Sequence, residues 1–170
     1  MKTTGYKLRH AIREAQSLRD ITASQWDDCL HVFPGEEKPS PDRVMRNFIA
    51  VEQRLARLQS AQDRYNLAVT VQVPGGTMTL CEAVKRVGGA GRAEKMWRAT
   101  AGGTKKDKYA YGNDLVRNAD QVRATPTVGV ESALAMAKDM GRFAAALREA
   151  IEVGNATEVE IEGLDPSLFE

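Results

Sequence analysis

The amino-acid sequence predicts a mainly α-helical fold, with a long antiparallel helical hairpin, a C-terminal helix and a small β element. Helix-forming residues dominate the 170 positions, and aromatic residues make up only 6% of them. Apolar residues recur at helical spacing over long segments, whereas only about residues 69–73 and 157–162 alternate as strands do. A chain of 170 residues, 42% of them hydrophobic, can bury one good core but not two. We therefore expect one domain over residues 1–170.

The first predicted helix runs from Tyr6 to about Leu30. Charged residues separate its apolar positions, which recur three to five residues apart at Leu8, Ile12, Ala15, Leu18, Ile21, Trp26 and Leu30. Pro34 and Pro39 then keep the polar connector from being helical.

The second predicted helix begins with three matched signals. Ser40 suits the N-cap, Pro41 the first helical position and Asp42 the positive end of the helix dipole. A heptad seam follows at Val44, Phe48, Val51, Leu55, Leu58, Gln62, Tyr65 and Val69. Such a coiled-coil seam needs a partner, and the short connector makes the first helix its antiparallel neighbour. We expect Gln62 to set the register, with a ligand contact as the alternative.

A short strand and a third helix follow the hairpin. Val69–Val73 reads as a strand that meets the turn sequence Pro74–Gly76. Thr79 and Glu82 have the spacing of a capping box and open the third helix.

Gly88–Gly91 is predicted to end or break this third helix. A further short helix then runs from Arg92 to about Ala101, with Met96 and Trp97 as its apolar anchors. The polar residues 102–126 are expected to form a loop region within the single domain.

The last predicted helix runs from about Val130 to Val153 and has two apolar sides. Large residues lie on one side and small ones, spaced four apart, on the other: Leu134, Met136, Met140, Phe143, Leu147 and Ile151 against Ala133, Ala137 and Gly141. The small residues permit close approach of a second helix. Gly154 and Asn155 cap the helix, and the strand at 157–162 is expected to pair with residues 69–73.

Composition narrows the possible partners and location. The 24 basic and 23 acidic side chains leave a net charge of +1, which disfavours generic nucleic-acid binding. Cys29 and Cys81 are the only cysteines, so we expect a reduced, cytoplasmic setting. His10 and His31 fit no zinc pattern with them, and we predict no metal site. No apolar run is long enough to cross a membrane, so we predict no membrane partner.

No pattern in the sequence indicates catalysis. The motifs of serine hydrolases, zinc proteases and calcium-binding loops do not occur. The paired carboxylates Asp27–Asp28 and Glu36–Glu37 lie at a helix end and in a polar turn, where a raised pKa is not expected. We therefore expect a non-enzymatic protein with no catalytic residues and no cofactor. An enzyme acting on a phosphorylated substrate is the less favoured alternative, because no general base can be named.

The most suggestive feature for function is the glycine-rich segment that leads into basic residues. Free backbone N–H groups at a helix start, with cations nearby, form a plausible anion site. The candidate ligand-binding residues here are Gly88, Gly89, Gly91, Arg92, Lys95 and Arg98. The alternative is that the glycines only join two helices and that the basic residues are solvated.

A second candidate segment lies in the polar stretch. Lys105 and Lys106 precede Tyr109 and Tyr111, a combination of cations and aromatic rings that suits stacking on a base and contact with a phosphate. An ordinary exposed loop has the same composition.

Several short motifs give the chain a family resemblance. Gly35–Pro39 precedes the second helix, Tyr65–Leu67 lies near its end, Thr77–Ala83 follows the strand, and the final helix is followed by residues 157–162. In these features the chain resembles the septicolysin-like proteins, small bacterial proteins of poorly understood function. The resemblance implies an elongated helical fold with small strands and a tendency to oligomerise. It supplies no catalytic residues.

Two functions from different classes follow from these observations. The first is a non-enzymatic helical homo-oligomer that binds a small phosphorylated molecule, such as a nucleotide, at the glycine-rich segment, for sequestration or sensing. The second is a structural or protein-interaction module without a small-molecule ligand, in which the heptad seam and the small-residue stripe are the contact surfaces.

Overall fold

The computed structural model describes residues 1–102 and 127–169, and it confirms the mainly α-helical fold with a small β element. The helices are α1 (Gly5–Cys29), α2 (Pro41–Ala68), α3 (Leu80–Ala101) and α4 (Val130–Ala156). The strands are β1 (Lys2–Thr3), β2 (Thr70–Val73), β3 (Gly76–Thr79) and β4 (Val159–Glu160), and a 3-10 turn covers Pro166–Phe169.

The chain forms two compact units. One contains Met1–Ala83 together with Ala150–Glu170, and it holds the hairpin and all four strands. The other is Val84–Glu149, which contains most of α3 and most of α4.

The helical hairpin and its heptad seam form as predicted. Ser40 caps α2, since its hydroxyl oxygen accepts from the Arg43 N–H at 3.4 Å. Six seam positions are buried and two, Phe48 and Gln62, are half-buried; the six are Val44, Val51, Leu55, Leu58, Tyr65 and Val69. Contacts from Gly5 to Tyr65 and from Arg19 to Glu52 show that α1 runs antiparallel to α2.

The buried face of α1 differs from its predicted apolar stripe. Leu8 and Ala15 are buried as expected, but the other buried positions are small or polar: Gly5, Ala11, Thr22 and Cys29. Leu18, Ile21 and Leu30 are exposed. Small residues at the contact let α2 approach closely, so the larger apolar side chains remain outside the narrow interface.

The β element is paired differently from the prediction. β2 pairs with β3, with Thr70 opposite Thr79, and β4 pairs with β1, with Lys2 opposite Glu160. The expected pairing of residues 157–162 with residues 69–73 was wrong. Gly75, at a φ of 99°, allows the chain to turn back directly after β2. The resulting hairpin of β2 and β3 closes a much shorter loop than the predicted pairing would, so it costs less conformational entropy.

Helix α3 continues through the glycines that were predicted to end it. Its start is as expected, because the Thr79 hydroxyl oxygen accepts from the Glu82 N–H at 3.1 Å. A glycine in a helix interior costs only about 1 kcal/mol relative to alanine, and buried contacts along a helix can exceed that cost. Leu80, Ala83 and Ala90 supply such contacts in α3.

The predicted apolar anchors of α3 differ in their burial. Trp97 is half-buried, whereas the Met96 side chain is 72% exposed and anchors nothing in the part of the chain that the structure describes.

The small-residue stripe of α4 is partly buried, and its one glycine faces a side chain of α3. Ala133 and Ala137 are buried, and a Cβ added at Gly141 would lie 3.3 Å from the Glu94 carboxyl group of α3. Leu134 and Met136, expected on the apolar side, are exposed.

Candidate functional site

Five of the ten predicted site residues line a single cavity beside α3. With 3.6 residues per turn, positions 88, 91, 95 and 98 follow one another along a helix face. They line a cavity of about 580 Å³ together with Arg148 of α4. We refer to this cavity as the α3/α4 groove, and its lining residues are Val87, Gly88, Gly91, Arg92, Glu94, Lys95, Arg98 and Arg148.

The floor of the α3/α4 groove is open space above two glycines. A Cβ at Gly91 would meet nothing within 4 Å, and one at Gly88 would meet only the Arg92 guanidinium, at 3.5 Å. Neither glycine has a positive φ. No contact among the described residues therefore requires glycine here, although each costs about 1 kcal/mol of helix stability relative to alanine. The missing side chains leave open space beside the helix.

The expected backbone cradle for an anion is absent from α3. The cradle depended on free N–H groups at a helix start, but the Gly88–Gly91 amides lie inside a continuous helix, where N–H groups bond to carbonyls four residues earlier. The true helix start is at Leu80, where Glu82 already places an acidic residue in the first turn. Any anion in the groove must therefore be held by side chains.

Positive charge dominates the lining of the α3/α4 groove. Arg98 Nε donates a hydrogen bond to Glu94 Oε1 at 2.9 Å, and Arg98 Nη2 lies at ion-pair distance, 2.9 Å, from the same oxygen. Within residues 1–102 and 127–169, no carboxylate lies in ion-pair distance of Arg92, Lys95 or Arg148. Four cations thus face a single carboxylate, and one of the four is paired with it.

A neighbouring depression extends the site along α4. Its volume is about 510 Å³, and it shares Glu94, Arg98 and Arg148 with the groove. Leu134, Ala137, Lys138 and Gly141 complete its lining. The small residues of α4 therefore leave room beside the cations.

The unit that holds the groove is also locally basic in sequence. Residues 84–149 contain thirteen Lys or Arg and seven Asp or Glu, whereas the rest of the chain contains eleven and sixteen. The net charge of +1 therefore conceals a positive segment and a negative remainder. Local charge of this sign favours anions at the α3/α4 groove.

Sequence reasoning located five of the eight lining residues and missed three, Val87, Glu94 and Arg148. Gly88, Gly91, Arg92, Lys95 and Arg98 come together in the α3/α4 groove, whereas Gly89 is not among its lining residues. The predicted residues Lys105, Lys106, Tyr109 and Tyr111 lie outside the described residues. Arg148 was missed, although it follows Ala137 and Gly141 at helical spacing on the stripe predicted to face another helix.

The groove offers binding groups more than catalytic ones. Guanidinium and ammonium groups donate charge-assisted hydrogen bonds to phosphate or carboxylate oxygens. Glu94, the one carboxylate in the lining, is ion-paired. In the two described segments, no three His, Cys, Asp or Glu side chains cluster as a metal site would require.

A second, apolar cavity lies on the hairpin. Its volume is about 250 Å³, and it is lined by Thr22, Ala23, Trp26, Val44, Met45 and Phe48. Ile49, on the same side of α2 as Met45, is exposed. Over the described part of the chain, every helix is too short or too polar to span a bilayer.

Comparisons with known proteins show the fold and not the function. A crystal structure of a functionally unknown conserved protein from Corynebacterium diphtheriae superposes with a TM-score of 0.64. The match covers 94% of this chain and 100% of the other, at 15% sequence identity. No protein-family model matches the chain, and no curated protein matches it either.

Proposed function

We propose that the protein binds a small phosphorylated molecule, such as a nucleotide, in the α3/α4 groove without chemically changing it. The observation that carries this proposal is the convergence of Arg92, Lys95 and Arg148, unpaired among the described residues, on a floor formed by Gly88 and Gly91. Sequestration or sensing of the ligand would be the corresponding role.

Phosphate suits this lining better than a neutral ligand does. A guanidinium matches two phosphate oxygens with two parallel hydrogen bonds, and a lysine adds a point charge. The cavity of about 580 Å³ lies within the range of small-molecule sites. With one ion-paired carboxylate and no free base in the lining, binding is favoured over catalysis.

Calorimetric titration with mono-, di- and cyclic nucleotides tests the proposal. We expect Arg92→Ala to weaken binding by about 1–3 kcal/mol, the scale of a lost charge-assisted hydrogen bond, and to leave helical content intact. Affinity should also fall as salt rises. Lys85→Ala is the control, because it removes an exposed cation of α3 outside the groove lining.

A pair of glycine variants separates the site from the helix. Gly91→Val fills the groove floor and should abolish binding, whereas Gly89→Val, outside the lining, should not. Both add the same side chain to the same helix, so their effects on helix stability should be similar. Flat titrations for every nucleotide with the unsubstituted protein would refute the proposal.

A second candidate function is self-association through the hairpin, which would make the protein an interaction module. The apolar cavity beside Trp26 and Met45, together with exposed Ile49, is the observation that favours it. A second copy could offer the same surface in return, as two-fold dimers do. The tendency to oligomerise implied by the septicolysin-like resemblance is in agreement with this candidate.

A further inference from the structure

We infer that the α3/α4 groove takes an oligophosphate, a ligand with two or more phosphate groups in a row. This inference rests on the proposed function and narrows its ligand class. The chemistry could come from an inorganic oligophosphate or from a nucleoside di- or triphosphate. Three features of the groove support it.

The first feature is the spacing of the cations along α3. Arg92, Lys95 and Arg98 follow one another at intervals of three residues, so they extend over about 9 Å of helix at a rise of 1.5 Å per residue. The hydrogen bond and ion pair to Glu94 orient Arg98, which does not swing toward Arg92 without breaking them. With Arg98 oriented toward Glu94, a short chain of phosphate groups suits both ends of this row better than a single phosphate group does.

The second feature is the charge of the lining. Arg92, Lys95, Arg98 and Arg148 outnumber Glu94, which leaves three positive charges in excess. A phosphate monoester carries only about −1.5 to −2 at neutral pH. A second phosphate group brings the negative charge of the ligand to about the excess positive charge of the groove, and a third exceeds it.

The third feature is the shape of the floor and its surroundings. Gly88 and Gly91 lie on the same helix face as Lys95, and the Arg92 guanidinium is the one side chain among the described residues within 4 Å of a Cβ at either glycine. A linear anion can therefore run close to the backbone and meet a group that binds it. The neighbouring depression beside Ala137 and Gly141 has room for the group that the phosphates carry. A nucleoside would occupy it, and an inorganic chain would leave it empty.

Calorimetry at constant ionic strength, without divalent metal, tests the inference with two series of ligands. The first is orthophosphate, pyrophosphate and triphosphate, and the second is AMP, ADP and ATP. We expect affinity to rise at least tenfold from one phosphate to three within each series. If ATP binds more tightly than triphosphate, a nucleoside oligophosphate is the ligand class; equal affinity indicates that the phosphates alone are recognised.

Two arginines of α4 provide matched variants. Arg148→Gln should lower triphosphate affinity at least tenfold and orthophosphate affinity by less. Arg142→Gln removes the same charge from the same helix, outside the lining of the groove and the depression, and should change neither.

The failures of the two proposals can be told apart. Orthophosphate binding as tightly as triphosphate would overturn the oligophosphate inference and leave the proposed function standing. Equal losses from Arg142→Gln and Arg148→Gln would also overturn it, because they would show a response to overall charge alone. Absence of binding by every anion in both series would remove the proposed function as well.

Discussion

The hydroxyl group of Tyr65 joins the end of α2 to the chain that leaves α4. Tyr65 is fully buried, and its oxygen lies 2.6 Å from the carbonyl oxygens of both Gly154 and Thr157. Gly5 packs against it so tightly that an added Cβ would lie 2.8 Å from the ring and 2.5 Å from the Asn155 amide oxygen. A bulkier residue at position 5 would displace these groups, which explains the glycine there.

Removal of the Tyr65 hydroxyl should destabilise the protein. We expect Tyr65→Phe to lower the free energy of unfolding by about 1–3 kcal/mol, because it leaves the facing carbonyls without their donor. Urea denaturation followed by circular dichroism measures the change. Tyr6→Phe is the control, since the Tyr6 hydroxyl is exposed and lies 3.4 Å from the Glu152 carbonyl oxygen. Equal stability of the two variants would contradict the assigned role.

Tyr65 should also shape the response of stability to alkaline pH. Burial raises the pKa of Tyr65 above its ordinary value of 10.0. The folded state favours the neutral hydroxyl of Tyr65. The contribution of this group to the free energy of unfolding is therefore complete below pH 10 and is lost as pH rises through the pKa of the folded state. We expect the urea midpoint of the unsubstituted protein to fall more steeply above pH 10 than that of Tyr65→Phe. Parallel profiles would contradict this expectation.

Among the helices, the hairpin depends on the seam of α2. Leu58→Asp should unfold or dissociate the protein, because an unpaired buried carboxylate costs several kcal/mol, on the order of the stability of a whole domain. Leu67→Asp places the same carboxylate at an exposed position of the same helix and should change little. Thermal melting and elution volume report the outcome. An unchanged melting temperature for Leu58→Asp would show that the seam is not a core.

The elements that sequence could predict are those whose signals lie within one segment. The seam of α2 follows from its own 3.5-residue period, and the start of α3 follows from Thr79 and Glu82. The course of α3 through Gly88–Gly91 could not be predicted, because the contacts that offset the glycines come from elsewhere in the fold. The partner of β4 depends in the same way on where the N-terminal strand lies.

At the scale of the whole molecule, the candidate site also combines residues that one segment supplies with a residue that only the fold brings near. Arg92, Lys95 and Arg98 are close in sequence, so their clustering was predictable, whereas Arg148 enters the groove only through tertiary packing. Charge is also distributed unevenly, with a basic segment at residues 84–149 and an acidic remainder. The net charge of +1 does not reveal this uneven distribution, and the expectation against nucleic-acid binding rests on the net charge alone.

The exposed apolar surface of the hairpin favours self-association of the whole molecule. Association would remove the apolar surface beside Trp26 and Met45 from water. Each Å² of apolar surface buried in this way contributes about 25 cal/mol of favourable free energy. We expect light scattering to give a mass of at least twice 18.7 kDa. Met45→Glu should shift the protein toward the monomer, because it places a charge in the contact.

Leu67→Glu provides the matched control for this change. It replaces another exposed apolar residue of α2, one that does not line the apolar cavity, and should leave the mass unchanged. A mass of 18.7 kDa for the unsubstituted protein across a wide concentration series would refute self-association. Equal dissociation by Met45→Glu and Leu67→Glu would instead place the contact away from this cavity, because only one of the two side chains lies in it.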